Sequence, residues 1–265
     1  SEGSLRPSLP QIFDRKALQI VPLLDYSLRH RPLERISIEL MKRETIMAAK
    51  KDEKKKRVVH IIRLLENAYP GARTALRFIT PLELLVATVL SAQCTDERVN
   101  RVTEALFKKY RAAKDYAGVD LRELEEDVRP TGFYRNKAKA VKGICQELVA
   151  RFKGEVPANL DDLVSLPGIG RKTANLVLGE AFGIPGIVVD THVLRLANRI
   201  GLTQNTDAVK VEFDLMDIVP KDRWTLFSNL LILHGRAICS AKKPAHEKCK
   251  ILDLCDEGMS WKKGA

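Results

Sequence analysis

Three short arrangements in this chain have residue types and spacings suited to chemistry. In Leu166-Pro167-Gly168-Ile169-Gly170-Arg171-Lys172, two glycines flank one apolar residue. That spacing allows a tight turn between helices, with backbone N–H groups pointing outward at a helix N-terminus. Such a place holds a phosphate without reading a base sequence. Pro-Gly-X-Gly also serves simply to turn a chain. The basic pair Arg171-Lys172 just beyond it moves the balance to phosphate binding by Gly168, Ile169, Gly170 and Arg171. The second arrangement is Val188-Val189-Asp190-Thr191-His192-Val193, which follows the break Gly183-Ile184-Pro185-Gly186 and leads into a helical pattern. Asp190 stands where a helix N-cap belongs. A carboxylate left half-exposed at a cap could also face Lys172 across the cleft that the 183–186 turn would close, and the two roles are compatible.

The third arrangement is a sulfur-rich tail. Five cysteines, three of them between 239 and 255, argue for metal or cluster ligation rather than a disulfide framework. Nine residues separate Cys239 from Cys249 and five separate Cys249 from Cys255, with His246 in the longer gap. Three thiolates and an imidazole make an acceptable structural zinc site, and imidazole also replaces thiolate on iron. A surface histidine beside three unmetallated thiols is the remaining reading. Cys94 and Cys145 read as core thiols, the latter on one helical face with Val141, Ile144, Leu148 and Val149.

The elements that must position these residues are helices. Val58, Ile61, Ile62 and Leu65 share a face, and Tyr69-Pro70-Gly71 stops that helix. Thr80 caps the next, with Pro81 at its first position and an apolar, buried body through Leu90. Further helices are expected at about 97–110, 121–128, 137–153, 160–166, 171–182, 191–201, 207–219 and 221–237. With almost no alternating pattern and no repeat, the fold class is all-α. The 265 residues suffice for one large or two small domains, and 45% apolar content excludes wholesale disorder. No apolar run approaches the ~20 residues that cross a bilayer, and none near the N-terminus resembles a secretion signal. A soluble cytoplasmic protein without a membrane partner is therefore expected. The net charge of +11 makes nucleic acid the first partner to test. Residues 1–57 carry 14 basic and 8 acidic residues and read as a basic extension or linker, in whole or part disordered.

The run 166–199, with LPGIGRKTAN and VDTHVLRLANR intact, closely resembles the helix-hairpin-helix DNA glycosylase superfamily, and within it the endonuclease III family. LSAQCTD at 90–96, GFYRNKAKA at 132–140, EVP at 155–157 and LILHGRAIC at 231–239 follow in the family's order, so the similarity spans about 58–265. The resemblance implies a two-lobed enzyme: a six-helix barrel over 74–184, carrying the hairpin, and a cluster lobe from 58–73 and 185–265. Damaged double-stranded DNA would lie bent across the cleft between the lobes, bound by a monomer at the nucleoid. Lys172 matches the family's nucleophile and Asp190 its catalytic carboxylate. Gln93 matches the residue that fills the gap left by a flipped base. Phe133 would be the wedge, an aromatic where an aliphatic side chain is common.

The implied activity is base-excision repair: a glycosylase with lyase activity at apurinic or apyrimidinic sites, acting on oxidised pyrimidines such as thymine glycol. A free lysine amine is almost wholly protonated at pH 7, so attack by Lys172 requires a group to take its proton, and Asp190 is the candidate. The family's cysteine spacing places His246 at the second of four ligand positions. The resemblance thus favours a 4Fe-4S cluster on Cys239, His246, Cys249 and Cys255, with zinc as the alternative. The cluster would fix the loop carrying Lys242 and Lys243 against phosphates. Two other functions stay open, a monofunctional mispair glycosylase of the same fold and a non-catalytic DNA-binding or redox-sensing module. The lysine at 172, paired with Asp190, counts against both.

Overall fold

The structure, a computed structural model, describes residues 26–264. The first part of the expected N-terminal extension, residues 1–25, lies outside the described residues. The chain divides into two compact units, Ser1–Ala49 and Lys50–Ala265. Helix α1 spans Tyr26–Ala68, starting well before the expected beginning near Val58. No proline or glycine occurs between Leu33 and Ala68, and the Lys/Glu/Ala-rich stretch that precedes Val58 consists of strong helix formers. Among the described residues there is no strand and no helix long and apolar enough to cross a membrane.

Two separate apolar cores build the second unit. The first is made by α2 (Pro81–Leu90), α3 (Asp96–Lys109), α4 (Ala113–Gly118), α5 (Leu121–Val128), α6 (Tyr134–Phe152), α7 (Leu160–Val164) and α8 (Arg171–Ala181). Thr80 caps α2 as expected: its hydroxyl accepts from Glu83 N at 3.2 Å while Glu83 reaches back to Thr80 N. Leu84, Leu85, Ala87 and Leu90 are then wholly buried at the centre of this core. Cys145 is buried on α6, where desolvation pushes its thiol up to about 12, and Cys94 packs half-buried against the same core. Helix α6 starts at Tyr134, three residues before the expected start, because the turn that ends at Phe133 delivers the chain directly into it. Helix α4 was not expected. It is one short turn, held by Asp115 accepting from the backbone N–H groups of Arg111 and Ala112 at 2.9 Å each.

The second core joins Val58, Ile61, Ile62 and Leu65 of α1 to α9 (Thr191–Ile200), α10 (Ala208–Ile218) and α11 (Trp224–Ala237), and it also takes in Ile251 and Cys255. An unexpected final helix, α12 (Asp256–Gly264), follows Cys255. Asp256 and Glu257 in its first turn and Lys262 and Lys263 in its last favour it locally, and Gly258 lets it lie directly on Leu252. The basic run on α1 is bonded along one face. Lys51 pairs with Asp217 at 2.7 Å, Lys54 donates to Leu202 O at 3.2 Å, and Arg57 meets Asp256 at 2.6 Å and Gly201 O at 3.3 Å. Residues three apart lie on one side of a helix, so Lys54 and Arg57 both reach the carbonyls at the end of α9.

Gly201 ends α9 in the left-handed region at φ +84, and a Cβ there would overlap the Asp256 carboxylate. Gly201→Ala should therefore lower the unfolding free energy by about 1–2 kcal/mol. A urea midpoint unchanged from wild type would contradict that.

Candidate active site and cysteine pocket

The turn between α7 and α8 is built around one buried residue. Ile169 is 5% exposed in the first core and its N–H bonds Leu166 O at 3.2 Å, while Gly168 takes φ +76, which suits glycine. Gly170 is the N-cap of α8 and has no side-chain oxygen to offer. The first N–H groups of α8 thus face outward without a side-chain cap. Lys172, in that first turn, is exposed.

Arg171 has a different place from the phosphate contact expected of it. Its Nε and Nη2 engage both oxygens of Glu212 at 3.1 and 2.5 Å, and its guanidinium lies 5.3 Å from the ring centre of Phe213. Glu212 is 4% exposed and also accepts from Asn175 Nδ2 at 3.1 Å; that amide donates as well to Ile187 O at 2.9 Å. The bond to Glu212 holds the Arg171 guanidinium firmly charged. Sequence reading missed Asn175 and Glu212. Their signal was a polar residue on an otherwise apolar helix face, beside Ala174 and Val177 in one case and Val211 and Leu215 in the other.

Asp190 is the N-cap of α9. Its Oδ1 accepts from the backbone N–H of His192 and of Val193, both at 2.8 Å. Oδ2 has no hydrogen-bond partner among the described residues. Half-buried Asp190 and exposed Lys172 line one cavity of about 110 Å³, together with Arg73, Ser91, Glu180, Asn229 and Arg236. That cavity lies between α8 of the first core and α11 of the second, with the Asp190 cap of α9 at its wall.

A second cavity, of about 350 Å³, brings together Gln93, Phe133, Asn136, Lys137, Gly168 and Thr173. Gln93 and Phe133 both have left-handed backbones, at φ +51 and +47, and Phe133 is 65% exposed. Strained backbone carrying an exposed side chain points to function rather than packing. Lys137 is buried beneath them and donates to Thr131 O at 2.7 Å, with burial lowering its pKa.

Cys239, His246, Cys249 and Cys255 line a third cavity, mostly apolar, between α9, α11 and the tail. All five cysteines are free thiols. Burial pushes the thiols of Cys249 and Cys255 up, and neighbouring cysteines of the trio raise them further. Among the described residues no three His, Cys, Asp or Glu side chains converge on a single ion position. His246 stacks on Trp261 at 5.0 Å, and its Nε2 is 3.8 Å from Glu257.

Three residues around this pocket were not anticipated. Arg195 donates to Cys239 O at 2.9 Å, and Arg199 donates to Ser240 O at 2.8 Å and to Ala241 O at 2.9 Å. Their four-residue spacing on α9 was the legible signal. His234 is 1% exposed, and burial lowers its pKa to about 4. Lys242 and Lys243 are exposed on the loop that Arg199 holds, which Ser240 tightens by donating to Lys243 O at 2.7 Å.

Residues 86–221 match the HhH-GPD superfamily of base excision DNA repair proteins. Endonuclease III of Synechocystis sp. is 51% identical over 208 residues, 78% of this chain and 95% of that protein. Endonuclease III of Bacillus subtilis is 47% identical over 73% of this chain and 89% of its own length. A solved structure described as a trapped endonuclease III–DNA covalent intermediate, an estranged-adenine complex, superposes with a TM-score of 0.74. It is 44% identical and covers 78% of this chain and 98% of its own.

The Arg171–Glu212 pair yields a stability test. Glu212→Ala strands Arg171 and Asn175 and should cost about 3 kcal/mol in urea unfolding, whereas replacing Arg171 and Glu212 together by methionine should recover much of that. A Glu212→Ala protein as stable as wild type would show that the pair does not brace the junction.

Proposed function

The chain belongs to the HhH-GPD superfamily and, within it, to the endonuclease III family, and we propose that its cleft releases oxidised pyrimidines such as thymine glycol from duplex DNA. The activity class is that of a base-excision DNA glycosylase with lyase activity at abasic sites. One observation carries the assignment of residues: Lys172 and Asp190, from the first turn of α8 and the cap of α9, wall the same cavity.

In this reading Lys172 Nζ passes its proton to Asp190 Oδ2, the oxygen the cap leaves free. The amine then attacks C1′ of the deoxyribose. The bond from C1′ to the base breaks, and the base leaves with the bonding electrons and takes up a proton. Ring opening yields a Schiff base with Lys172, which acidifies the neighbouring C2′–H and lets the 3′ phosphate leave by β-elimination. The carboxylate of Asp190 balances the positive charge that builds on the sugar.

The target nucleotide must leave the stack, at a cost of a few kcal/mol that is smallest for damaged bases. Gln93 and Phe133 serve that step, Phe133 as the wedge and Gln93 as the filler. Their strained backbones and shared cavity support this. The uncapped start of α8 with its Gly168–Gly170 turn holds a backbone phosphate, Lys242 and Lys243 take others, and Arg171 braces the turn from below.

Cys239, His246, Cys249 and Cys255 would hold a 4Fe-4S cluster. Three thiols and an imidazole sharing one cavity suit a sulfur-ligated metal group, and the family's cysteine spacing favours the cluster over a single zinc. When bound, the group supplies a rigid cross-link of the 239–255 loop and a redox-active centre.

Borohydride trapping on an abasic or thymine-glycol duplex tests the chemistry. Wild type should form a covalent adduct and Lys172→Gln none; an adduct with the mutant would move the nucleophile elsewhere. Asp190→Asn keeps the cap, so it should fold and bind DNA while turnover falls at least about tenfold, the lower end of an acid–base contribution; full activity would leave Asp190 only a cap. The purified protein should carry about four irons per chain and absorb visible light, and His246→Ala should lose iron. Full iron content with an unchanged spectrum in that variant would remove His246 from the ligand set.

A further inference from the structure

At the wall of the cysteine pocket a buried histidine links the end of α1 to the cysteine-bearing tail. His234 Nε2 lies 3.5 Å from Cys249 Sγ, and on the other side of the ring Nδ1 lies 3.1 Å from the hydroxyl of Tyr69. Tyr69 directly follows α1, and its N–H bonds Leu65 O at 2.8 Å, so it is fixed to the last turn of that helix. The two rings meet edge to face at 6.0 Å. The backbone carbonyl of His234 also accepts from the N–H of Cys239 at 2.9 Å. One residue of α11 therefore touches two of the sulfur-bearing residues through different atoms.

A ligand thiolate is only an acceptor, so the nitrogen facing it must carry hydrogen. A neutral imidazole has a single N–H. If that hydrogen sits on Nε2, Nδ1 is a lone pair, and the Tyr69 hydroxyl must donate to it. The opposite arrangement would set a nitrogen lone pair against a thiolate. A doubly protonated ring would bury a charge that no carboxylate faces, an expensive state for a side chain 1% exposed. The hydroxyl thus selects the tautomer that the sulfur needs, in the way outer partners orient groups around metals.

We propose that Tyr69 and His234 are positioning residues that hold an N–H on the sulfur of Cys249 and thereby raise the reduction potential of the cluster. The proposal rests on the reading of Cys249 as a cluster ligand. A hydrogen bond to a ligand sulfur withdraws electron density and favours the reduced, more negative state.

The test uses the full chain without DNA and measures iron per chain, the visible sulfur-to-iron absorption and the midpoint potential. His234→Met keeps the volume and removes the donor; it should retain iron, with a shifted absorption band and a lower potential. His234→Gln, whose amide can donate to the sulfur, should return the potential toward wild type. Tyr69→Phe leaves α11 untouched and should lower the potential by a smaller step. If His234→Met does not assemble, Tyr69→Phe against wild type carries the test. Unchanged potential and spectrum in an iron-loaded Tyr69→Phe or His234→Met protein would overturn the relay while leaving the cluster in place. A wild-type protein that binds no iron would overturn the cluster reading itself, and the relay with it.

Discussion

Lys172 and Asp190 stand on helices packed into different cores, so the site exists only as long as the seam between those cores holds its register. The buried carboxylate of Glu212 fastens one end of it. Removing such a group from water costs several kcal/mol unless it is fully paired, and here the two-pronged Arg171 and the Asn175 amide pair it. Asn175 donates a second bond to Ile187 O, just ahead of the run that leads to Asp190. The chain there approaches so closely that a Cβ on Gly186 would come within 2.9 Å of the Asn175 side chain. Val188 N is held in turn by Ser228 Oγ at 2.9 Å. The same bonds that brace the hairpin turn therefore help hold Lys172 and Asp190 at one cavity.

Two helix N-termini open near that cavity, and their function differs with their caps. Asp190 satisfies two N–H groups of α9 with one oxygen and keeps the other for the cavity. Gly170 satisfies none at α8, so the partial positive charge of that terminus stays available to an anion. An aspartate at the second cap thus leaves a carboxylate oxygen beside the cavity, and a glycine at the first leaves backbone N–H groups uncapped.

Strain and support are distributed in the same way elsewhere. Gln93 and Phe133 each occupy a backbone region that costs an ordinary residue about 1–3 kcal/mol, and both present exposed side chains to one cavity. The 129–133 turn tolerates this because Thr131 is tied to Val128 O at 2.8 Å and a buried lysine, Lys137, anchors its carbonyl. On the far lobe, Arg195 and Arg199 of α9 grip the backbone after α11, so the lysine-bearing loop follows the helix that Asp190 begins.

The positions of most helices were legible from local chemistry. Thr80-Pro81 with Glu83 declares a start, Gly168 and Gly170 declare a turn, and Asp190 declares a cap, because each acts through atoms within a few residues. The candidate nucleophile, the candidate carboxylate and the candidate cysteine and histidine ligands stand out for the same reason, as residue types at telling spacings. Other features depended on groups far apart in the chain. Arg171 reads as a phosphate contact beside its turn, yet it spends its charge on Glu212, forty-one residues away. Helix α12 carries helix-favouring charges at its ends but is short, and its place on Leu252 depends on the close approach that Gly258 allows. His234 reads as one more residue of an apolar helix until folding sets Tyr69 and Cys249 on its two nitrogens. Caps, turns and periodicities are short-range interactions that a sequence carries in order. The partner of a buried charge or ring is chosen by packing, which brings together residues that no local pattern connects.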